Sequence, residues 1–123
     1  MAVTLVAIAS NDQVTQVGFD DGDPVEVLYT STGGVTQINS ITVTNESTSA
    51  LWMAFWILPS GVAATTCPPT CTQICTAGGG GGLDATTIVA GLLGQIIPSG
   101  GTLSVAAGVT NVGYVTASGI KVT

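Results

Sequence analysis

The chain has 123 residues, enough for one domain that buries roughly two-thirds of the surface its unfolded form exposes, and it carries a net charge of −6 with Lys121 as its one base and neither Arg nor His. That balance removes the attraction that supplies most nucleic-acid and anionic-membrane affinity, and without His there is no Ser-His-Asp or Cys-His catalysis and no imidazole metal site. Only 7% of residues are charged and the mean hydropathy is +0.61, yet no apolar run approaches the ~20 residues that span a bilayer, so the expectation is a soluble protein with an apolar exterior and no membrane or nucleic-acid partner.

The opening MAVTLVAIAS lacks a positively charged start and is interrupted at Thr4, so it does not read as a signal peptide, which predicts synthesis in a cytoplasm. Residues 2–9 suit a strand, either in the domain's own sheet or as an arm added to a neighbour's. Residues 1–24 are therefore assigned as an N-terminal arm or edge strand of a single domain spanning 1–123. Asp20, Asp21 and Asp23 could offer oxygen ligands to a hard cation, but the EF-hand spacing is absent and Asp-Gly followed by Pro24 is turn chemistry. With Glu26 these acids cluster in one turn and define no cleft for glycoside hydrolysis. No catalytic, cofactor-binding or metal-binding residue is assigned. Residues 25–30 then read as a strand with Val25, Val27 and Tyr29 on one face, ended by Gly33 and Gly34.

Residues 38–61 organise the centre of the chain. Ser40, Ile41, Thr42, Val43 and Thr44 alternate with period two, as a half-buried strand does. Asn45, Glu46, Ser47, Thr48 and Ser49 bond readily to their own backbone, which predicts a turn and a hairpin. The sequon Asn45-Glu46-Ser47 would accept a glycan only in a secreted eukaryotic setting, and chance accounts for it here. The return run, 50–58, is apolar throughout. As a strand it places Leu51, Met53, Phe55 and Ile57 on one face and Trp52, Ala54, Trp56 and Leu58 on the other, with the two Trp about 13 Å apart. The second face needs a loop, another sheet or another subunit over it. Trp52, Trp56, Phe55 and Leu58 are the interface candidates. A short buried helix stopped by Pro59 is the competing reading.

Residues 62–84 read as a long loop holding all three cysteines and five consecutive glycines. Cys67, Cys71 and Cys75 recur every fourth residue. A closed zinc site takes four ligands, and one copy has three cysteines and no His to complete it. The alternatives are free thiols in a mobile loop, one internal disulfide, bonds between copies around a threefold axis, or a metal. The run of five Gly has no Lys and no strand-loop-helix context, so it is not a phosphate cradle. Beyond it, 86–90, 92–97, 101–106, 111–116 and 119–122 are short strands separated by turn signals, with a helical turn over 83–93 disfavoured by Gly91 and Gly94. Ile57-Leu58-Pro59-Ser60-Gly61 recurs as Ile96-Ile97-Pro98-Ser99-Gly100, one turn solution used twice. The expected fold is all-β, a single antiparallel β-sandwich of jelly-roll type.

The segments VLYTSTGG (27–34), INSITVTNES (38–47), ILPSG (57–61), IPSGGTL (97–103) and VTASGIKVT (115–123) resemble small β-sandwich virion proteins of tailed bacteriophages, among them capsid decoration (cement) proteins and related head or tail components. The resemblance covers residues 25–123 apart from the Cys/Gly loop, which reads as an insertion; the segment before Val115 is shorter than the pattern. It implies a non-enzymatic homotrimer on the capsid exterior that clamps neighbouring subunits of the major capsid protein. The competing function is a tail-associated or secreted recognition module for a host glycan or protein, which would display Trp and Tyr on a loop rim.

Overall fold

A computed structural model describes residues 2–18, 25–64, 67–80 and 82–123. Among them run nine strands, β1 Val3–Gln13, β2 Glu26–Thr30, β3 Val35–Asn45, β4 Leu51–Leu58, β5 Cys71–Cys75, β6 Ala85–Ile88, β7 Ile96–Ile97, β8 Thr102–Ala107 and β9 Gly113–Val122, with a 3-10 turn at Ala90–Leu92. All pairings between these strands are antiparallel. Sheet A has the order β1-β9-β3-β6, with β7 also on β3, and sheet B the order β2-β8-β4-β5. Setting aside the two-residue β7 and counting the rest in order, the sheets read 1-8-3-6 over 2-7-4-5. That is the jelly roll, in which two Greek keys interlock.

The core lies between the sheets. Ile38, Ile41 and Val43 of β3 meet Leu51, Met53 and Phe55 of β4 and Leu103 and Val105 of β8, while Val89, Leu92 and Ile97 come in from around the 3-10 turn. Each such side chain contributes roughly 1.5–3 kcal/mol on burial. Ile38 and Ile41 are three residues apart and both face inward, against strict alternation. A register shift between Ile38 and Ser40 makes this work by inserting an extra residue into β3.

Four expectations change in the structure. β3 and β4 do not form a hairpin: β3 is central in sheet A and β4 is central in sheet B. A strand apolar on both faces belongs in the middle of a sheet, and Asn45 directs the chain across. Its side chain is fully buried; Nδ2 donates to the carbonyls of Ser49 (2.9 Å) and Thr76 (3.1 Å), and Oδ1 accepts from the Ser47 N–H (2.9 Å). The 62–84 span is not all loop, because it contains β5 on the edge of sheet B. There Cys71, Gln73 and Cys75 alternate with Thr72 and Ile74, a period-two pattern that strands accept. The strands expected at 111–116 and 119–122 are one strand, β9. Gly119 does not break it but marks a close approach, since a Cβ there would run into the Gln37 carbonyl and against Ile8. The segment at 92–97 shortens to β7, with the 3-10 turn before it.

The N-terminal segment pairs with β9 as an edge strand of the domain's own sheet. Asp20, Asp21 and Asp23 lie outside the described residues. Among the described residues no buried polar side-chain atom lacks a hydrogen-bond partner. Ser31, for example, donates to the Gly34 carbonyl (2.6 Å) and meets Thr36 Oγ1 (2.7 Å), which also meets the Tyr29 hydroxyl (2.9 Å) and ties off the turn between β2 and β3.

Candidate functional site

Among the described residues there is no pocket, no group of three or more His, Cys, Asp or Glu placed to hold a metal, and no helix long and apolar enough to cross a membrane. The features to weigh are therefore the outward faces of the two sheets.

The outward face of sheet B carries Ala54, Trp56 and Leu58 from β4 and Ala106 from β8. It is roofed by the segment after β4, with Ala64 and Cys67 packed on it and Val25 alongside. Trp56 is 3% exposed, and its Nε1 donates to the Cys67 carbonyl at 3.2 Å. The roof is fastened where it rejoins the sheet: the Thr70 N–H donates to the Phe55 carbonyl (2.8 Å) and the Ile57 N–H to Thr70 Oγ1 (2.9 Å). Of the four interface candidates, Phe55 is in the core between the sheets, and Trp56 and Leu58 are under this roof. Their cover is the chain's own. Trp52 alone stays open, 48% exposed and opposite Ile74 of β5, itself 57% exposed.

The cysteines do not converge. Cys67 sits in the roof with its Sγ toward the Ala63 carbonyl (3.7 Å), whereas Cys71 and Cys75 lie on the inward side of β5. Four residues apart on a strand, the latter two are about 13 Å distant, beyond disulfide reach. None of the three is in a disulfide. Burial pushes the Cys75 thiol up to about 11 and raises that of Cys71.

Sheet A turns a bare face outward, and its register defines two apolar rows across the strands. One row is Val3, Val122 and Val35; the next is Leu5, Ile120, Gln37 and Ile96. Leu5 is 83% exposed, Val3 62% and Ile96 48%. Farther along the same face the rows turn mostly to hydroxyls, Ser118 with Ser40, then Thr116 with Thr42 and the exposed Ile88, then Tyr114 with Thr44 and Thr86. Sequence reasoning did not single this face out. The signal was present in Val3 and Leu5 and again in Ile120 and Val122, each pair at a spacing of two.

Among the described residues the carboxylates are segregated along the long axis. Asp12 lies opposite Val115, Glu46 follows the Asn45–Gly113 pair, Asp84 precedes the Ala85–Asn45 pair, and Glu26 Oε1 accepts the Thr15 N–H (2.6 Å). All four carboxylate side chains among the described residues thus gather toward the end where β3 finishes. The apolar rows lie at the other end, about 33 Å away along β3. That end also holds the two Pro-Ser-Gly turns side by side. Gly61 and Gly100 share a left-handed φ of 79° and 76°, and Gly100 abuts Ser60.

No family model matches the chain, and no curated protein matches it. Among solved structures it is similar to a viral particle of infectious bursal disease virus (13% identity, TM-score 0.46, covering 98% of this chain and 31% of that one). It is also similar to the Gx strain of the same virus (16%, 0.47, 98% and 33%) and to its VP2 subviral particle (14%, 0.44, 98% and 32%). The chain spans about a third of the length of each.

Proposed function

We propose that this chain is a structural virion protein, a capsid decoration protein that is made in the host cytoplasm, assembles as a homotrimer on the outer capsid surface and bridges subunits of the major capsid protein. The observation that carries this reading is the uncovered apolar face of sheet A, displayed on a rigid sandwich whose other apolar face is already roofed. Monomeric soluble proteins leave such faces bare where something docks. The sequence resemblance to phage decoration proteins supports the same reading, and the charge of −6 suits a position away from packaged nucleic acid. Trp52 with Ile74 offers a second exposed apolar contact, suited to the coat. A recognition module would want its Trp side chains on a loop rim, whereas Trp52 is on a strand and Trp56 is buried.

A decoration protein acts by mass action. It binds the assembled lattice and not the dispersed coat, so each occupied site stabilises the shell by RT ln(1 + [L]/Kd), about 2.7 kcal/mol at a hundredfold excess over Kd. The test is co-sedimentation with shells of its own virus assembled without it, followed by heating of the loaded and bare shells. The expected result is saturable binding and a higher dissociation temperature for loaded shells. Protein left in the supernatant, or binding that leaves the dissociation temperature unchanged, overturns the proposal.

A further inference from the structure

The outward face of sheet A combines three properties. Its half remote from the described carboxylates carries apolar side chains on four strands, broken only by Gln37 between Ile120 and Ile96, over a width of about 14 Å. It lies at the end of the sandwich remote from Asp12, Glu26, Glu46 and Asp84. It also borders an unguarded sheet edge, because among the described residues no strand pairs with the far side of β1. Exposed edges are ordinarily blunted by Lys, Pro or bulges. Residues 2–11 contain no charge and no proline, and both register shifts of β1 fall between Ala7 and Asp12. The edge is thus irregular toward the carboxylate end and regular beside the apolar rows.

We propose that a second copy of this chain docks on this apolar half of the face, through Val3, Leu5, Val35, Ile96, Ile120 and Val122. The occupant follows from charge. The chain carries seven acids against one base, and two copies meeting at the end that holds Asp12, Glu26, Glu46 and Asp84 bring carboxylates together without cations to offset them. At the opposite end they meet away from those four. The single base, Lys121, sits on β9 between Ile120 and Val122, where alternation turns it away from the face they share. A docked copy also covers the regular part of the β1 edge, removing both liabilities in one contact. Copies so arranged converge at these ends and point Asp12, Glu26, Glu46 and Asp84 outward. This rests on the trimer reading above and names the surface it would use.

The experiment is native mass by light scattering over a concentration series for the wild type, Leu5→Glu and Thr86→Glu. Leu5 is too exposed for its replacement to unfold the domain, and circular dichroism with a thermal melt checks that. Thr86→Glu places the same charge on the hydroxyl half of the same face. The expected result is a wild-type oligomer, at least tenfold weaker association for Leu5→Glu, and wild-type mass for Thr86→Glu. A wild-type monomer at every concentration overturns the proposal, as does an oligomer indifferent to Leu5→Glu or equally weakened by Thr86→Glu. A dimer abolished by Leu5→Glu supports the face and overturns the threefold reading. A trimer untouched by it does the reverse.

Discussion

The two sheets of this sandwich present opposite solutions to the same difficulty. Sheet B has an outward face rich in large apolar groups, Trp56 and Leu58 above all, and the chain covers it with a roof from its own sequence. Sheet A has a milder outward face, built from Val, Leu and Ile at alternate positions, and nothing among the described residues covers it. The strand that looks most in need of a partner is thus satisfied internally, while the inconspicuous face remains open. A nine-residue apolar run shows that both sides of a strand are buried, not by whom. Exposure in the folded domain separates a core from a contact.

The sharpest way to break this comparison is to truncate one residue from each face. Trp56→Ala removes a buried indole, leaves the Cys67 carbonyl without its donor and opens a cavity beneath the roof, so the expected loss is about 3–5 kcal/mol. Leu5→Ala should change stability by no more than about 0.5 kcal/mol, as exposed positions generally do. Urea unfolding of both variants, each compared with wild type under conditions that keep it monomeric, checks the pair. Comparable losses would mean that Leu5 is packed within the domain and that the outward face of sheet A is not open.

A second test concerns β5, the edge strand that links the roof to sheet B. The Cys75 thiol is raised by burial from 9.0 to about 11, so between those values the unfolded chain gives up its proton and the folded one keeps it. Stability fully present below pH 9 is therefore lost as pH climbs toward 11, by an amount on the order of 2 kcal/mol. Cys71 shifts in the same direction. Denaturation midpoints at pH 8 and pH 10.5, for wild type and Cys75→Ala, isolate the effect: the variant starts less stable but falls less steeply. Parallel declines would place Cys75 in contact with solvent and leave β5 loosely held.

These elements also mark what the sequence could disclose. The strand-rich composition, the turn signals and the alternation in β3 were legible because local periodicity reports burial directly. The hairpin was misread because Asn45 and the serines after it signal a change of direction without saying whether the chain returns beside β3 or crosses to the other sheet. That choice depends on Thr76, thirty-one residues away, whose carbonyl Asn45 bonds. β5 was hidden by the Pro, Cys and Gly around it, although Cys71 to Cys75 alternates. The charge segregation could not be read at all, since Asp12, Glu46 and Asp84 become neighbours only through the register of β1, β9, β3 and β6.

Smaller than the losses expected at Trp56 and Cys75 is the effect at Trp52, which tests whether sheet B keeps one external contact after the roof is in place. Half exposed and paired with Ile74 across β4 and β5, its indole forgoes much of the 1.5–3 kcal/mol that full burial brings, so Trp52→Ala should cost about 1 kcal/mol in a thermal melt. It lies on the opposite sheet from the proposed contact between copies, so native mass should stay at the wild-type value. Binding to the shell should weaken, because a half-exposed Trp beside an exposed Ile is the kind of anchor that interfaces bury. Unchanged shell binding in Trp52→Ala, with Leu5→Glu deficient in it, would assign both contacts to sheet A. The roofed sheet would then serve only to keep the domain rigid.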